Sequence, residues 1–146
     1  MNPIRSKEGG KCMSVQTKTF KHGVPWEESF GYSQGYLVGD TLYISGQLSH
    51  DDAGNFVGEG DFETQVRTTF KNIDKVLQKF GATKENIVDD TVLVVNLREH
   101  WDAVQRLHLE YFGQHHPAST TIGISALALP EQLVEIRVIA RLDLNQ

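Results

Sequence analysis

Cysteine occurs once, as Cys12, so this 146-residue chain cannot close an internal disulfide and its fold requires no oxidising compartment. Long apolar runs are missing too: none approaches the roughly 20 residues of a membrane-spanning helix, so no membrane partner is expected. Basic residues are the minority, 14 against 19 acidic, and the formal net charge is −5. Nucleic-acid binders draw most of their affinity from cationic contacts to phosphate, so this balance argues against a nucleic-acid partner. The first dozen residues carry charge but no apolar h-region, which speaks against a secretory signal and makes the cytoplasm the expected location.

Metal and nucleotide signatures are equally scarce. The six histidines, His22, His50, His100, His108, His115 and His116, form no zinc-hydrolase pair with a nearby carboxylate. There is no nucleophile elbow, phosphate-binding loop or dinucleotide fingerprint, so neither a metal nor a cofactor is expected. The glycines between Gly54 and Gly60 lack the strand–turn–helix context that phosphate binding needs.

What is present suits one ordinary globular domain. Hydrophobic residues make up 39% of the chain and charged residues 23%. Residues 1–14 read as a flexible arm and 15–146 as the domain. Two helices are predicted. Asp61 can cap the first, and Phe62, Val66, Phe70, Ile73, Val76, Leu77 and Phe80 recur at three- and four-residue spacing before Gly81. In the second, Asn96 and Glu99 have capping-box spacing, and Trp101, Val104, Leu107, His108 and Tyr111 continue a stripe that Gly113 closes.

Strands are predicted over 15–20, 36–38, 41–45, 91–95, 120–125 and 134–142. Gly39-Asp40 forms a tight hairpin turn, 91–95 reads as a central strand, and the last two strands read as a pair around 127–131. The order predicts an α+β domain whose mixed sheet carries both helices on one face. In the last strand Val134, Ile136, Val138, Ala140 and Leu142 share the side suited to the helices. Glu135, Arg137, Ile139 and Arg141 share the other, and Ser119, Thr121, Gly123 and Ser125 are grouped with them on that second face. Such a face is either an oligomer interface with a polar cleft or a solvated sheet face, and periodicity alone leaves both open.

Glu135 lies mid-strand between Val134 and Ile136, where a charge is costly unless paired or used. In a cleft, partial burial would raise its pKa and suit it to act as a general base toward water. The competing reading is a structural ion pair with Arg137, Arg141 or a partner subunit.

Four stretches carry a family resemblance: Tyr32-Ser33-Gln34; the run from Leu42 through Ser45-Gly46-Gln47; Thr64-Gln65 through Asn72-Ile73; and Val134-Glu135-Ile136 with Ile139-Ala140. In order and at compatible spacing over about residues 20–142, they resemble the successive signatures of the RidA/YjgF family. That resemblance implies a chorismate-mutase-like homotrimer with small-molecule clefts between subunits. It also implies hydrolysis of reactive imines and enamines with release of ammonia, without metal or cofactor. Residue by residue it makes Glu135 the group that positions water, with Tyr32 and the Ser45–Gly46 pair framing the pocket. In such proteins the arginine of a Pro-Ala-Arg motif clamps the substrate carboxylate. Here the chain reads Pro117-Ala118-Ser119, Thr121 stands where many members have cysteine, and Gln105 replaces a pocket asparagine. A serine cannot supply two parallel charged N–H donors, so the expected substrate is not a standard 2-imino acid. A non-catalytic binding or regulatory module is the alternative that Ser119 favours. The acidic balance and the lack of a histidine-based acid–base pair stand against a third, ribonuclease or translation inhibitor.

Overall fold

In the computed structural model, residues 14–144 are described. The arm expected over 1–14, Cys12 included, therefore lies almost entirely outside them. The elements run β1 (Thr17–Phe20), α1 (Pro25–Phe30), β2 (Gly35–Val38), β3 (Thr41–Gln47), α2 (Phe62–Lys79), β4 (Ile87–Val95), α3 (Leu97–Phe112), β5 (Ala118–Ile124) and β6 (Val134–Arg141). A 3-10 turn, Lys84–Asn86, leads into β4. The six strands form one mixed sheet in the order β1-β2-β3-β6-β4-β5. No helix among the described residues is long and apolar enough to cross a membrane.

Alternation along β6 builds the core. Val134, Ile136, Val138 and Ala140 are all buried and meet Leu42 and Ile44 of β3, Val92 and Val94 of β4, and Ile73, Val76 and Leu77 of α2. Burying each valine, leucine or isoleucine side chain of this set is worth about 1.5–3 kcal/mol, so this face is a principal source of the favourable energy of folding. Asp61 caps α2 as expected, accepting a hydrogen bond from the Thr64 backbone N–H at 3.1 Å. Gly39-Asp40 closes the β2–β3 hairpin between the paired residues Val38 and Thr41, with Gly39 at a φ of 58°.

Four expectations change. Among the described residues there is a third α-helix, α1, started by Pro25, whose fixed φ suits a first helical position. The strands β5 and β6 do not pair with each other; β4 lies between them, antiparallel to β6 and parallel to β5. A parallel neighbour needs a crossover, and α3 provides it. The capping box at the start of α3 does not form. Asn96 instead adopts a left-handed φ of 57°, and its carbonyl accepts from the Glu99 and His100 N–H groups. Finally, Ser119, Thr121 and Gly123 stand beside Asp90, Val92 and Val94 of β4, which in turn stand beside Val138, Ile136 and Val134. Residues side by side on neighbouring strands point to the same face, so these three lie on the helix side, not with Glu135.

The turn into α1 depends on a buried acid. Glu27 accepts backbone hydrogen bonds from His22 at 2.8 Å, Gly23 at 2.8 Å and Val24 at 3.0 Å. Burial pushes its carboxyl up, but the Gln34 side chain and these three N–H groups outweigh it and hold the pKa below the ordinary 4.5. A depressed acid contributes stability above the unfolded-state pKa and loses it as pH falls through the lower folded value. Glu27→Ala is expected to cost about 2–3 kcal/mol at neutral pH, since three donors lose their acceptor. In urea unfolding, the gap from wild type should narrow below pH 4.5.

Candidate functional site

The sheet face left bare by the helices carries a cavity of about 510 Å³. Its wall includes Tyr32, Ser45, Gly46, Thr91, Glu135 and Arg137, with Phe30 from α1 at its edge. Four of the seven residues expected from the sequence therefore meet in one place. A shift in the β3–β6 register between Ile44 and Gln47 makes this possible. The irregularity lets Gly46 approach Glu135 so closely that a Cβ there would lie 2.7 Å from the Glu135 Cδ. Gly46 is needed for that approach; its φ is unexceptional.

Glu135 is half-buried and, among the described residues, has neither a hydrogen-bond partner nor an ion pair. The internal ion pairs considered for it are not made: Arg141 holds Asp143 at 2.6 Å and the Thr41 hydroxyl at 2.9 Å instead. Burial alone raises the Glu135 carboxyl above its ordinary value. Tyr32 is also shifted upward, first by burial, with the nearby Glu27 and Glu135 charges adding to it, so its phenol stays protonated at neutral pH. Its hydroxyl accepts from Gln34 Nε2 at 3.2 Å.

Behind the wall, buried amides fix these groups. Gln47 Nε2 donates to Gln34 Oε1 at 2.7 Å, and Gln47 Oε1 accepts from His22 Nε2 at 2.9 Å. Burial lowers the His22 pKa, which keeps that ring neutral. Ser45 donates its hydroxyl to the Ser33 carbonyl at 2.7 Å, while its N–H reaches the Gln34 carbonyl at 2.8 Å. Its side-chain proton is committed to the scaffold, so toward the cavity Ser45 offers lone pairs.

The other three expected residues, Gln105, Ser119 and Thr121, line a separate cavity of about 360 Å³ between α3 and β5. Its floor holds a cluster that sequence reasoning missed. Asp90 is fully buried, and its carboxylate receives the Ser119 hydroxyl and, at 2.6 Å, His108 Nε2. Ser119 Oγ and His108 Nε2 are 3.4 Å apart. A buried carboxylate needs such partners. One signal was available: with β4 begun at Ile87, Asp90 falls on the same side as Val92 and Val94, a charge on the core face. Among the described residues no group of three or more His, Cys, Asp or Glu side chains is placed to hold a metal.

A family model described as Endoribonuclease L-PSP matches residues 26–142, so it takes in both cavities. The chain belongs to the RidA/YjgF family. A 2-iminobutanoate/2-iminopropanoate deaminase of Capra hircus is 34% identical over 109 residues, covering 75% of this chain and 78% of that protein. A RutC family protein of Saccharolobus solfataricus is 34% identical over 110 residues, covering 75% and 86%. Among solved structures, Rv2704 of Mycobacterium tuberculosis, a YjgF/YER057c/UK114 family member, superposes with a TM-score of 0.77 at 25% identity, covering 86% and 99%.

In this RidA/YjgF chain the Glu135 environment makes a direct prediction. An acid raised on folding favours the native state below its unfolded pKa and opposes it as pH rises through the folded value. Glu135→Gln should therefore melt at a higher temperature than wild type at pH 7. The difference should close as pH falls toward the ordinary 4.5.

Proposed function

We propose that the sheet-face cleft binds a small imine or enamine and hydrolyses it to a carbonyl compound and ammonia, with Glu135 as the base. The observation that carries this is a half-buried, unpaired carboxylate with a raised pKa, aimed into a cavity beside a protonated tyrosine. The fully buried carboxylates among the described residues, Glu27 and Asp90, both have partners. Glu135 takes a proton from water as the oxygen attacks the imine carbon, and the C=N π electrons move to nitrogen, which receives that proton from Glu135. When the aminol collapses, Glu135 takes the hydroxyl proton and passes it to nitrogen, the C–N bond breaks, ammonia leaves and C=O forms. The sum is imine plus water giving carbonyl plus ammonia, with no oxidant and no metal. The naming of the goat relative as an imine deaminase supports the same chemistry.

The reading extends to assembly. Tyr36 and Tyr43, 46% and 43% exposed, stand on the bare face with Ile122, also 43% exposed, as a set of large apolar side chains suited to covering. Within one chain the two cavities open on opposite faces of the sheet. In a homotrimer, the α3–β5 edge of one copy against the bare face of the next would bring Gln105, Ser119 and Thr121 toward another copy's Glu135. We assign the substrate to imines not held by a carboxylate clamp at Ser119, because that hydroxyl is already given to Asp90. The same engagement is what favours the second reading, a cleft that binds without turnover. Ribonuclease activity, the description of the matching family model, finds no support in a chain of net charge −5.

Ammonia release from a panel of freshly generated imines tests the first reading. Glu135→Gln is expected to slow the best of them by about 10²–10⁴-fold. The acid limb of kcat/KM in the wild type should lie above pH 4.5, following the raised carboxyl. Equal rates for the two proteins would remove Glu135 from the chemistry, and no turnover of any imine would leave the binding reading in its place. Light scattering is expected to return three chain masses; a monomer in dilute buffer would mean the bare face is simply solvated.

A further inference from the structure

Glu135 and Arg137 stand two residues apart on β6, beside Leu93 and Thr91 of β4, and both line the bare-face cavity. Opposite charges so placed would ordinarily neutralise each other. Here they do not meet: no ion pair joins them, and burial is the sole cause of the raised Glu135 pKa. Arg67, Arg106 and Arg141 each hold a carboxylate. Arg137 has no hydrogen bond or ion pair among the described residues, even though Asp89 lies on the same face of β4. Arg98 also lacks a carboxylate partner, but it borders a different groove, at the start of α3. The cavity thus presents one free base and one free guanidinium on a single rigid strand.

We infer that Arg137 is the anion anchor of this cleft, and that the preferred ligand carries a carboxylate remote from the carbon attacked at Glu135. The Cα atoms of alternate strand residues are about 6.6 Å apart. A 2-imino acid has its carboxylate carbon one bond, about 1.5 Å, from the imine carbon, so it sets the anion and the attacked carbon side by side. A chain of about four bonds between reactive carbon and carboxylate sets them apart by a distance closer to the spacing of the two residues. A guanidinium offers paired donors to such a group, and a hydrogen bond to a charged partner is worth enough to give roughly tenfold or more in affinity. The inference rests on reading Glu135 as the base, yet it can be tested without turnover.

The stable carbonyl products serve as probes: pyruvate, 5-oxohexanoate and the methyl ester of 5-oxohexanoate, with binding to the full chain measured by calorimetry. Wild type is expected to bind 5-oxohexanoate at least about tenfold more tightly than either of the others. Arg137→Gln, at a position exposed within the chain and with its mass by light scattering unchanged, should erase that preference and leave ester binding unchanged. Equal affinity for pyruvate and 5-oxohexanoate would overturn the remote carboxylate, and no binding of 5-oxohexanoate, or a preference that survives in Arg137→Gln, would overturn the anchor. If the preference holds and depends on Arg137 while the corresponding imine releases no ammonia, the anchor stands and the catalytic role of Glu135 falls.

Discussion

With α2 and α3 both packed on one side of the sheet, each strand has to serve two different environments at alternate residues. One set must be apolar enough to hold the domain together, because it meets the helices. The other set has no covering layer within the chain, so side chains that would be costly in a core are tolerated there. Glu135 and Arg137 sit between Val134, Ile136 and Val138 for this reason. The cleft follows from that one-sided cover more than from any specialised loop.

Precision in the cleft comes from its backing. A row of buried amides and a neutral imidazole, from Tyr32 through Gln34 and Gln47 to His22, ties the segment before β2, the end of β3 and the turn before α1 together. Such a network is stabilising only when every member is satisfied. Its uncharged members add no competing charge behind Glu135, so the carboxylate keeps the upward shift that burial imposes.

Much of this was legible in the chain beforehand. The stripe of α2 and the alternation of β6 have strong periods, and their buried residues fell where the pattern put them. Tyr32, Ser45, Gly46 and Glu135 were grouped by the family resemblance and line one cavity, Tyr32 from the connection between α1 and β2, Ser45 and Gly46 from β3, and Glu135 from the adjacent β6. The error at Ser119 and Thr121 has a physical origin. An edge strand that is polar or small on both sides shows which residues point together but not to which side they point, and β5 is exposed along most of its length. Only pairing with β4, between positions 29 residues apart such as Asp90 and Ser119, decides the matter. The helix α1 was missed because six residues hold too little periodicity, and the unexpected φ of Asn96 is set by the tight passage from β4 into α3.

The bond between Ser119 and Asp90 also constrains how this site can change. Position 119 is not an empty seat: its hydroxyl helps keep a fully buried carboxylate solvated, together with His108. An arginine introduced there would meet that carboxylate before any ligand and be neutralised by it. Removing Asp90 alone would strip His108 and Ser119 of the acceptor they share. The three positions are therefore interlocked, and a path from this pocket to one built around a free arginine has to alter them together. A change at any one of the three is felt by the other two before it reaches a ligand.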